Sequence, residues 1–364
     1  MIAFSFLEYC AWLARAMARD AEVTLYLPRV EADPVADQVG PAVDLRLFDQ
    51  PRLRQPVPCL RLTGGIVRDI RRGRPDVVHL QAGHLYMTPL LPAIGDRALV
   101  MTCHDVRPHL GDQPSRKVPS FVLDWGLRRA DAVIVHGESL RRLAGEVCRV
   151  PLERIHVVPH HWQSEPARPA AAAAGNGSTA PQSILFFGRI WPYKGLEYLI
   201  RAQPRVSARV PQAEFVIAGE GEDLARYRAM MAQPERFVVH DGFVPREERA
   251  RLLDRASVVV LPYLEATQSG VVPLAWAHGR AVVASRVGAI PEVVEHDRTG
   301  LLVPPGDPHA LADAIVRVLG ESGLAARLGA AGRDKLRAEM SPETAAEATL
   351  AVYGTALEHR RARR

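Results

Sequence analysis

The sequence lacks the features that mark several whole classes of protein. Its 364 residues contain four cysteines, Cys10, Cys59, Cys103 and Cys148, and no Cys-x-x-Cys pair. This argues against a zinc site or a disulfide framework and favours a reducing cytoplasm. No apolar run is long enough to span a bilayer. The first residues have no basic region and include Glu8, so we do not expect a signal peptide.

Lysine is also scarce. Lys117, Lys194 and Lys335 are the three lysines among 46 basic residues, and the net charge is +5. Arginines cluster at residues 68–74 and 360–364. A solvated surface is the simpler interpretation of each cluster, and peripheral contact with an anionic membrane is the alternative. We do not expect a nucleic-acid partner, because no aromatic residues alternate with these charges and no binding motif is visible.

Short apolar runs alternate with helical patterns along the chain, which is typical of parallel βαβ units. The composition, 48% hydrophobic and 24% charged, is that of a soluble globular protein. The predicted strands are Glu22–Tyr26, Val77–Leu80, Ala98–Thr102, Ala132–Val135, Ile155–Val158, Ser183–Phe187, Glu214–Ala218, Phe237–His240, Ser257–Leu261 and Ala281–Ala284.

A low-complexity segment, Arg168–Pro181, separates the two halves and indicates a linker. We therefore predict two domains, residues 1–165 and 183–340, joined by a linker over 166–182. Residues 341–364 are predicted to form a helix that crosses back towards the first domain. The expected fold class is α/β, with two Rossmann-like, doubly wound domains facing across a cleft.

The most informative motif follows the predicted strand Ser183–Phe187. Gly188 allows a sharp turn, Gly195 allows a close helix start, and Arg189 and Lys194 between them supply two cations. Arginine binds phosphate oxygens through a planar fork, whereas lysine acts as a point charge. By itself the pattern is equally compatible with two surface cations beside a turn.

A second motif follows the predicted strand Ser257–Leu261. Gln268, Ser269 and Gly270 precede an apolar helical run, so backbone N–H groups at the helix start are expected to face an anion. Glu265 has the wrong charge for phosphate but can accept hydrogen bonds from sugar hydroxyls. The two motifs together predict a ligand with both a diphosphate and hydroxyl groups, such as a nucleotide sugar.

Other candidate ligand residues also follow predicted strands. His104 lies two residues after the strand Ala98–Thr102, and the backbone at Val244 is placed to pair with a base edge. Gly219-Glu220-Gly221 begins like a dinucleotide fingerprint, but Leu224 replaces its third glycine, so we interpret it as a tight turn. No Asp-x-Asp occurs, so a metal-dependent nucleotide-sugar site has no support.

These motifs resemble those of the retaining glycosyltransferases with the GT-B fold, glycosyltransferase family 4 (group 1). The sequence GRIWPYKG is similar to that family's donor loop. The stretch EATQSGVVPLAWAHGRAVVASRVGAIPEVVEHDRTGLLVPPGD is similar to its C-terminal signature. The resemblance covers nearly the whole chain and is strongest from Ser183 to Pro305.

The resemblance implies sugar transfer from a nucleotide diphosphate sugar to an unidentified hydroxyl acceptor, with no cofactor and no obligate metal. The first domain would be the acceptor side, and the second would bind the nucleotide sugar. Arg189 and Lys194 would bind the diphosphate, and His104 would lie over the donor sugar. Surface polysaccharide or glycolipid synthesis in a bacterium is the expected setting, and the expected location is the cytoplasm, with or without association with a membrane. The expected donor-binding residues are Gly188, Glu265, Thr267, Gln268, Ser269, Gly270 and Val244.

The sequence departs from the family pattern at two points. Of the family's pair of glutamates, the ribose-binding one falls on Leu274 and the sugar-binding one on Ala266, beside Glu265. The glycine-rich acceptor loop that usually follows the first strand is not visible. Two alternatives therefore stay open: a nucleotide-sugar epimerase of the same fold, and a decayed transferase that serves as a nucleotide-binding partner protein.

Overall fold

The computed structural model describes residues 1–107, 118–162, 182–221 and 224–363, except for the side chains of residues 30–34. These residues form two compact units. Unit 1 comprises residues 1–107, 118–162 and 341–363, and unit 2 comprises residues 182–221 and 224–340. The predicted linker lies outside the described residues, apart from Gln182, which begins a strand of unit 2.

The strands of unit 1 are parallel and form two groups. One group pairs β1 with β2, and the other has the order β3, β4, β5, β6. β2 alternates exposed and buried positions, whereas β4 and β5 are buried throughout. A central parallel strand is covered on both faces, so it is apolar along its length. The strands are β1 (Val23–Pro28), β2 (Val43–Phe48), β3 (Val77–Leu80), β4 (Ala98–Thr102), β5 (Ala132–Val135) and β6 (Ile155–Val157).

The first residues of the chain join the two groups of strands. Ile2 forms parallel bridges with Tyr26 of β1 and with Leu80 of β3. Its N–H donates to the carbonyl of His79 at 2.8 Å, and its carbonyl accepts from Gln81 N–H at 3.0 Å. Residues 1–3 thus act as a very short central strand, which gives unit 1 the strand order of a Rossmann sheet.

Helices of unit 1 connect these strands. The amphipathic pattern of α3 and α5 places their apolar residues towards the sheet. The helices of this part of the chain are α1 (Leu7–Met17), α2 (Arg29–Val39), α3 (Pro56–Gly73), α4 (Ser120–Arg129) and α5 (Glu138–Cys148), with a 3₁₀ segment at Thr88–Ile94.

Unit 2 contains a six-stranded parallel sheet in its described residues, in the order β12-β11-β10-β7-β8-β9. The chain leaves β7 in one direction through β8 and β9 and in the other through β10 and β11. This puts the topological switch point between β7 and β10, where open α/β sheets bind their ligands. The strands are β7 (Gln182–Phe187), β8 (Ala213–Gly219), β9 (Phe237–Asp241), β10 (Ala256–Leu261), β11 (Ala281–Ser285) and β12 (Leu301–Val303).

Both faces of this sheet are covered by helices, and alternate strand residues such as Ile184 and Phe186 form a hydrophobic core with the helices on one face. All ten strands predicted from the sequence are present, with ends within two residues of those predicted. The helices are α6 (Leu196–Arg209), α7 (Leu224–Ala229), α8 (Arg246–Arg255), α9 (Val271–Ala277), α10 (Ile290–Val293), α11 (Pro308–Gly320) and α12 (Leu324–Glu339).

The last helix, α13 (Pro342–Ala362), belongs to unit 1. Ser341 caps it by accepting a hydrogen bond from Thr344 N–H at 3.0 Å, as its sequence predicts. Ala345, Ala346 and Ala356 are buried in the unit 1 core, and the Tyr353 hydroxyl bonds His79 at 2.8 Å. Among the helices of the described residues, none combines the length and apolar character that a bilayer span requires.

The packing of α13 can be tested with one charge. Ala356→Glu places a carboxylate at a position that is fully buried, so we expect a loss of about 3 kcal/mol in the free energy of unfolding. Urea denaturation followed by circular dichroism measures the change. Ala351→Glu puts the same charge on the exposed side of the same helix and should change stability little. Equal stability of the two variants would contradict the docking of α13.

Candidate functional site

The two glycine-containing motifs lie at the carboxyl ends of β7 and β10, the strands on either side of the switch point. β7 and β10 pair in parallel, so their carboxyl ends meet at one edge of the sheet. The first loop runs from Gly188 through a 3₁₀ turn at Pro192–Lys194. The second runs from Pro262 to Gly270, the N-cap of α9. The topology therefore brings the two predicted motifs together.

Two buried tyrosines hold the predicted cations. Arg189 Nη2 donates a hydrogen bond to the Tyr193 hydroxyl at 3.0 Å. Lys194 Nζ lies 3.8 Å from the ring centroid of Tyr263 and 4.9 Å from that of Tyr193. Cations are attracted to the negative face of an aromatic ring. Tyr193 and Tyr263 thus position both charges beside the loop that precedes α9.

Tyr263 also connects the cations to the second loop. Its hydroxyl is 3.5 Å from Ser269 Oγ. Burial raises the pKa of Tyr263 to about 12, although the hydrogen bond with Ser269 and the charge of Arg189 both oppose the rise. The hydroxyl therefore stays protonated at neutral pH. Lys194 and Ser269 thus both contact this one side chain, and Arg189 bonds the other tyrosine, Tyr193.

The backbones of the two loops are in direct contact at Gly195. The Leu264 N–H donates to the Tyr193 carbonyl at 2.8 Å. Gly195 has a left-handed backbone, with φ at 66°, and a Cβ there would overlap the carbonyl oxygen of Pro262. Only glycine permits this approach without strain. The contact fixes Lys194 against Tyr263.

The start of α9 differs in part from the prediction. The N–H of Val271 donates to Ser269 Oγ at 3.3 Å, so the serine hydroxyl takes up one of the N–H groups expected to face an anion. Gly270 is exposed at the N-cap. The hydroxyl of Ser269 therefore lies beside Tyr263, whose ring also contacts Lys194.

The rest of the second loop carries oxygen acceptors. Oε1 of Gln268 is buried and has no hydrogen-bond partner among the described residues. The Thr267 side chain is buried, and its carbonyl accepts from Ala289 N–H at 3.2 Å, which ties the loop to the one after β11. Glu265 is exposed. A buried carbonyl oxygen without a partner favours a ligand that donates hydrogen bonds.

The remaining predicted donor residues of unit 2 flank this site. Gly188 lies next to α9, since a Cβ there would be 3.8 Å from Val271 Cγ2. A Cβ at Gly219 would overlap the Gly188 carbonyl, so this glycine accommodates the first loop, in agreement with a tight turn. Val244 is half-buried after β9, in the loop where Gly242 N–H donates to the Gly219 carbonyl at 3.1 Å.

His104 lies in unit 1, at the carboxyl end of β4. Its ring stacks on Phe6 with centroids 3.9 Å apart and meets the edge of Tyr9. Its Nδ1 is 3.1 Å from Nε2 of His136, which follows β5. Its Nε2 is buried and has no hydrogen-bond partner among the described residues. The histidine is thus rigidly held, with one ring nitrogen left for a ligand.

Several more histidines surround His104. Burial, reinforced by neighbouring imidazoles, holds the pKa of His104 and His160 well below the usual range. Burial likewise lowers the pKa of His136 and His161 to about 4. The rings are therefore neutral at pH 7. As arranged in the described part of the chain, no group of three or more His, Cys, Asp or Glu can hold a metal ion.

Comparison with known proteins identifies the family. Residues 8–161 match the family described as Glycosyltransferase Family 4, and residues 181–321 match Glycosyl transferases group 1. A glycogen synthase of Mycobacterium tuberculosis is 31% identical over 306 residues, covering 78% of this chain and 69% of the relative. A D-inositol 3-phosphate glycosyltransferase of Xylanimonas cellulosilytica is 30% identical over 397 residues, covering 98% and 92%. The chain belongs to this glycosyltransferase family.

Solved structures show the GT-B fold of this glycosyltransferase. A Rickettsia africae glycosyltransferase has a TM-score of 0.74 at 14% identity and covers 98% of this chain and 97% of its own. The Anabaena protein HepE, solved in complex with UDP-glucose, has a TM-score of 0.70 at 18% identity and covers 95% and 96%. The prediction of an α/β, GT-B protein is therefore confirmed.

Aromatic residues occupy the loop where the family resemblance leads us to expect a glycine-rich segment. The loop after residues 1–3 contains Phe4, which stacks on His84 with centroids 3.8 Å apart, and Phe6, which stacks on His104. Phe6 has a left-handed backbone, with φ at 59°, a conformation that costs a bulky residue about 1 kcal/mol or more. The stacking on His104 offsets this cost.

Sequence reasoning missed one residue in each unit, Tyr263 beside Lys194 and His136 beside His104. Tyr263 lies two residues after Leu261, the end of one predicted strand, and His136 directly follows Val135, the end of another. Their position after a parallel strand was the available signal, because such residues gather at the carboxyl edge of the sheet. Their contacts with Lys194 and His104 depend on long-range packing that spacing does not reveal.

The close contact at Gly195 gives a direct test of the loop geometry. Gly195→Ala introduces a Cβ against the Pro262 carbonyl, so we expect a loss of about 2 kcal/mol in the free energy of unfolding, measured by urea denaturation. Gly354→Ala is the control, because a Cβ there meets nothing within 4 Å and the residue lies inside a helix. The control should be neutral or stabilising. An unaffected Gly195→Ala protein would argue against the contact between the loops.

Proposed function

We propose that the protein transfers a sugar from a nucleotide diphosphate donor to a hydroxyl acceptor, with retention of the anomeric configuration and without an obligate metal ion. The observation that carries the proposal is the arrangement of Arg189, Lys194 and Ser269 around the neighbouring rings of Tyr193 and Tyr263 at the switch point of unit 2. Two fixed cations and a hydroxyl at this edge suit a diphosphate.

The cations would act mainly on the leaving group. As the bond between the anomeric carbon and the diphosphate oxygen breaks, negative charge develops on that oxygen. Arg189 and Lys194 are held by Tyr193 and Tyr263, so little reorganisation is needed when the charge appears. Such preorganised charge stabilisation usually makes the largest single contribution to catalysis.

The acceptor hydroxyl would attack the face that the diphosphate leaves. The new bond forms between the acceptor oxygen and the anomeric carbon, and the acceptor proton passes to the departing diphosphate. In unit 2, Gln268 Oε1 is a buried acceptor for donor hydroxyls, and Leu274 leaves the ribose without the family's usual glutamate. The family resemblance assigns His104 to the donor sugar, and its Nε2 is suited to a hydroxyl.

The names of two relatives support a proposed class of acceptor. One is named a glycogen synthase and another a D-inositol 3-phosphate glycosyltransferase. We therefore propose a glycan, a lipid-linked sugar or a small polyol as the acceptor, with bacterial surface polysaccharide or glycolipid synthesis as the setting.

Loss of one cation should slow donor cleavage. We expect Lys194→Ala to lower the rate of nucleoside diphosphate release from a panel of nucleotide sugars by about a hundredfold or more. Lys335→Ala is the matched control, because Lys335 lies in α12 and pairs with Glu295; its rate should stay near that of the unmodified protein. A coupled assay for released diphosphate measures both.

Other outcomes would favour other functions. Interconversion of sugars without diphosphate release would indicate the epimerase. Tight nucleotide binding with neither reaction would indicate a decayed transferase acting as a partner protein. Equal rates for Lys194→Ala and Lys335→Ala would place the donor site elsewhere.

We also propose peripheral contact with an anionic membrane through unit 1. The two arginine clusters in the sequence meet in the fold: Arg71 and Arg74, at the end of α3, line a cavity of about 620 Å³ together with Arg97, Arg360 and Arg361. Asp76 and Asp96 also line it, so its ionisable side chains carry a net positive charge. Clustered arginines attract anionic head groups within about a Debye length.

Charge reversal tests this contact. We expect Arg71→Glu with Arg361→Glu to weaken sedimentation with vesicles containing phosphatidylglycerol, with little binding left at high salt. Arg228→Glu with Arg201→Glu reverses two charges in unit 2 and should leave binding unchanged. Equal loss of vesicle binding in both double variants would mean that net charge alone, and not this cluster, causes the binding.

A further inference from the structure

A chain of hydrogen bonds runs from the backbone after β6 to His104. His136 Nδ1 lies 2.9 Å from the Val158 carbonyl oxygen, and His136 Nε2 lies 3.1 Å from His104 Nδ1. All of these atoms are buried. His104 Nε2, at the end of the chain, is buried without a partner among the described residues.

The chain fixes the proton on each ring. A carbonyl oxygen only accepts hydrogen bonds, so His136 Nδ1 must carry a hydrogen. Nε2 of a neutral His136 is then an acceptor, and His104 Nδ1 must donate to it. A neutral His104 with its hydrogen on Nδ1 presents a lone pair at Nε2.

Both rings must be neutral for these proton positions to hold, and their surroundings keep them neutral. Burial lowers the pKa of His136 to about 4 and holds that of His104 well below the usual range, with nearby imidazoles adding to the effect on His104. The carboxylate of Asp105 raises the pKa of His136, but burial dominates. The titratable groups that face the two rings are His79, His160, His161, Tyr9 and Asp105.

We propose that His136 is a positioning residue, which holds His104 in the Nδ1–H tautomer so that His104 Nε2 accepts a hydrogen bond from a hydroxyl group of the bound sugar. The identity of the ligand rests on the proposed function, whereas the tautomer rests only on the hydrogen-bond chain. Phe6, stacked 3.9 Å from His104, keeps the ring in the plane that this hydrogen bond needs.

The tautomer has a consequence for the donor. A lone pair at Nε2 attracts a hydroxyl and repels a carboxylate oxygen, so a donor sugar with a hydroxyl at this position is favoured over a uronic acid or a deoxy analogue. A buried acceptor left without a partner costs binding energy, which makes this kind of discrimination strong. His136 thus acts on specificity through His104 and need not touch the sugar.

Nuclear magnetic resonance of the unmodified protein tests the tautomer directly. Long-range ¹H–¹⁵N correlation spectra of protein labelled with ¹⁵N-histidine distinguish protonated from unprotonated ring nitrogens at neutral pH. Spectra of His104→Gln and His136→Gln assign the two rings. We expect a protonated Nδ1 and an unprotonated Nε2 for both. An Nε2–H tautomer at His104, or a doubly protonated ring, would overturn the proposal.

Variants of His136 then test its role. His136→Leu removes the acceptor, so the Nε2–H form of His104 should become populated, and kcat/KM for a donor with a hydroxyl should fall about tenfold, the scale of one hydrogen bond. His136→Gln keeps an acceptor, so it should restore most of the Nδ1–H tautomer of His104 and most of kcat/KM. His79→Gln is the control: this buried histidine bonds Tyr353 and Thr102 instead of His104, and its loss should leave the His104 tautomer unchanged.

The two readouts separate this proposal from the proposed function. The spectra need no substrate, so absence of donor cleavage would refute the transferase function and leave the tautomer to be decided by the spectra. An unchanged His104 tautomer in His136→Leu would refute the positioning role even in an active transferase.

Discussion

The contact between Lys194 and Tyr263 is the interaction on which the candidate site of unit 2 depends. It exists because β7 and β10 are neighbours in the sheet although about seventy residues separate them in sequence. Gly195 lets the two loops touch through their backbones, and the tyrosine ring then holds a cation that would otherwise extend into solvent. The sheet topology brings the two loops together, and the uncharged ring of Tyr263 orients the charge of Lys194.

Much of this arrangement was predictable from the sequence. Buried parallel strands are continuous apolar runs, which can be recognised in the sequence. All ten strands predicted in this way are present. The strands that sequence reasoning missed were those without such runs. β2 carries Asp44 and Arg46 at exposed positions, β12 has three residues, and residues 1–3 pair as a strand only through Ile2. In the site, the loops were predicted because glycine and strand ends mark them.

The partners within the site could not be predicted in the same way. Nothing in the spacing of Tyr263 shows that its ring lies under Lys194, and nothing in the pattern around His136 shows that it bonds His104. Both contacts join segments separated by tens of residues and depend on side-chain packing. The start of α9 shows the same limit, since the Ser269 hydroxyl takes an N–H group that a helix-start argument leaves available.

The two units offer a ligand opposite kinds of chemistry, and the physical cause is burial. In unit 2, Arg189 is exposed and Lys194 half-buried, and two cations at this edge suit a group that gains negative charge during reaction. In unit 1, His104 and His136 are enclosed by aromatic rings and other imidazoles, and desolvation keeps them neutral. A neutral imidazole cannot stabilise a diphosphate through charge, but it accepts a hydrogen bond from a hydroxyl. Burial thus decides whether the side chains of each unit offer a positive charge or a neutral hydrogen-bond acceptor.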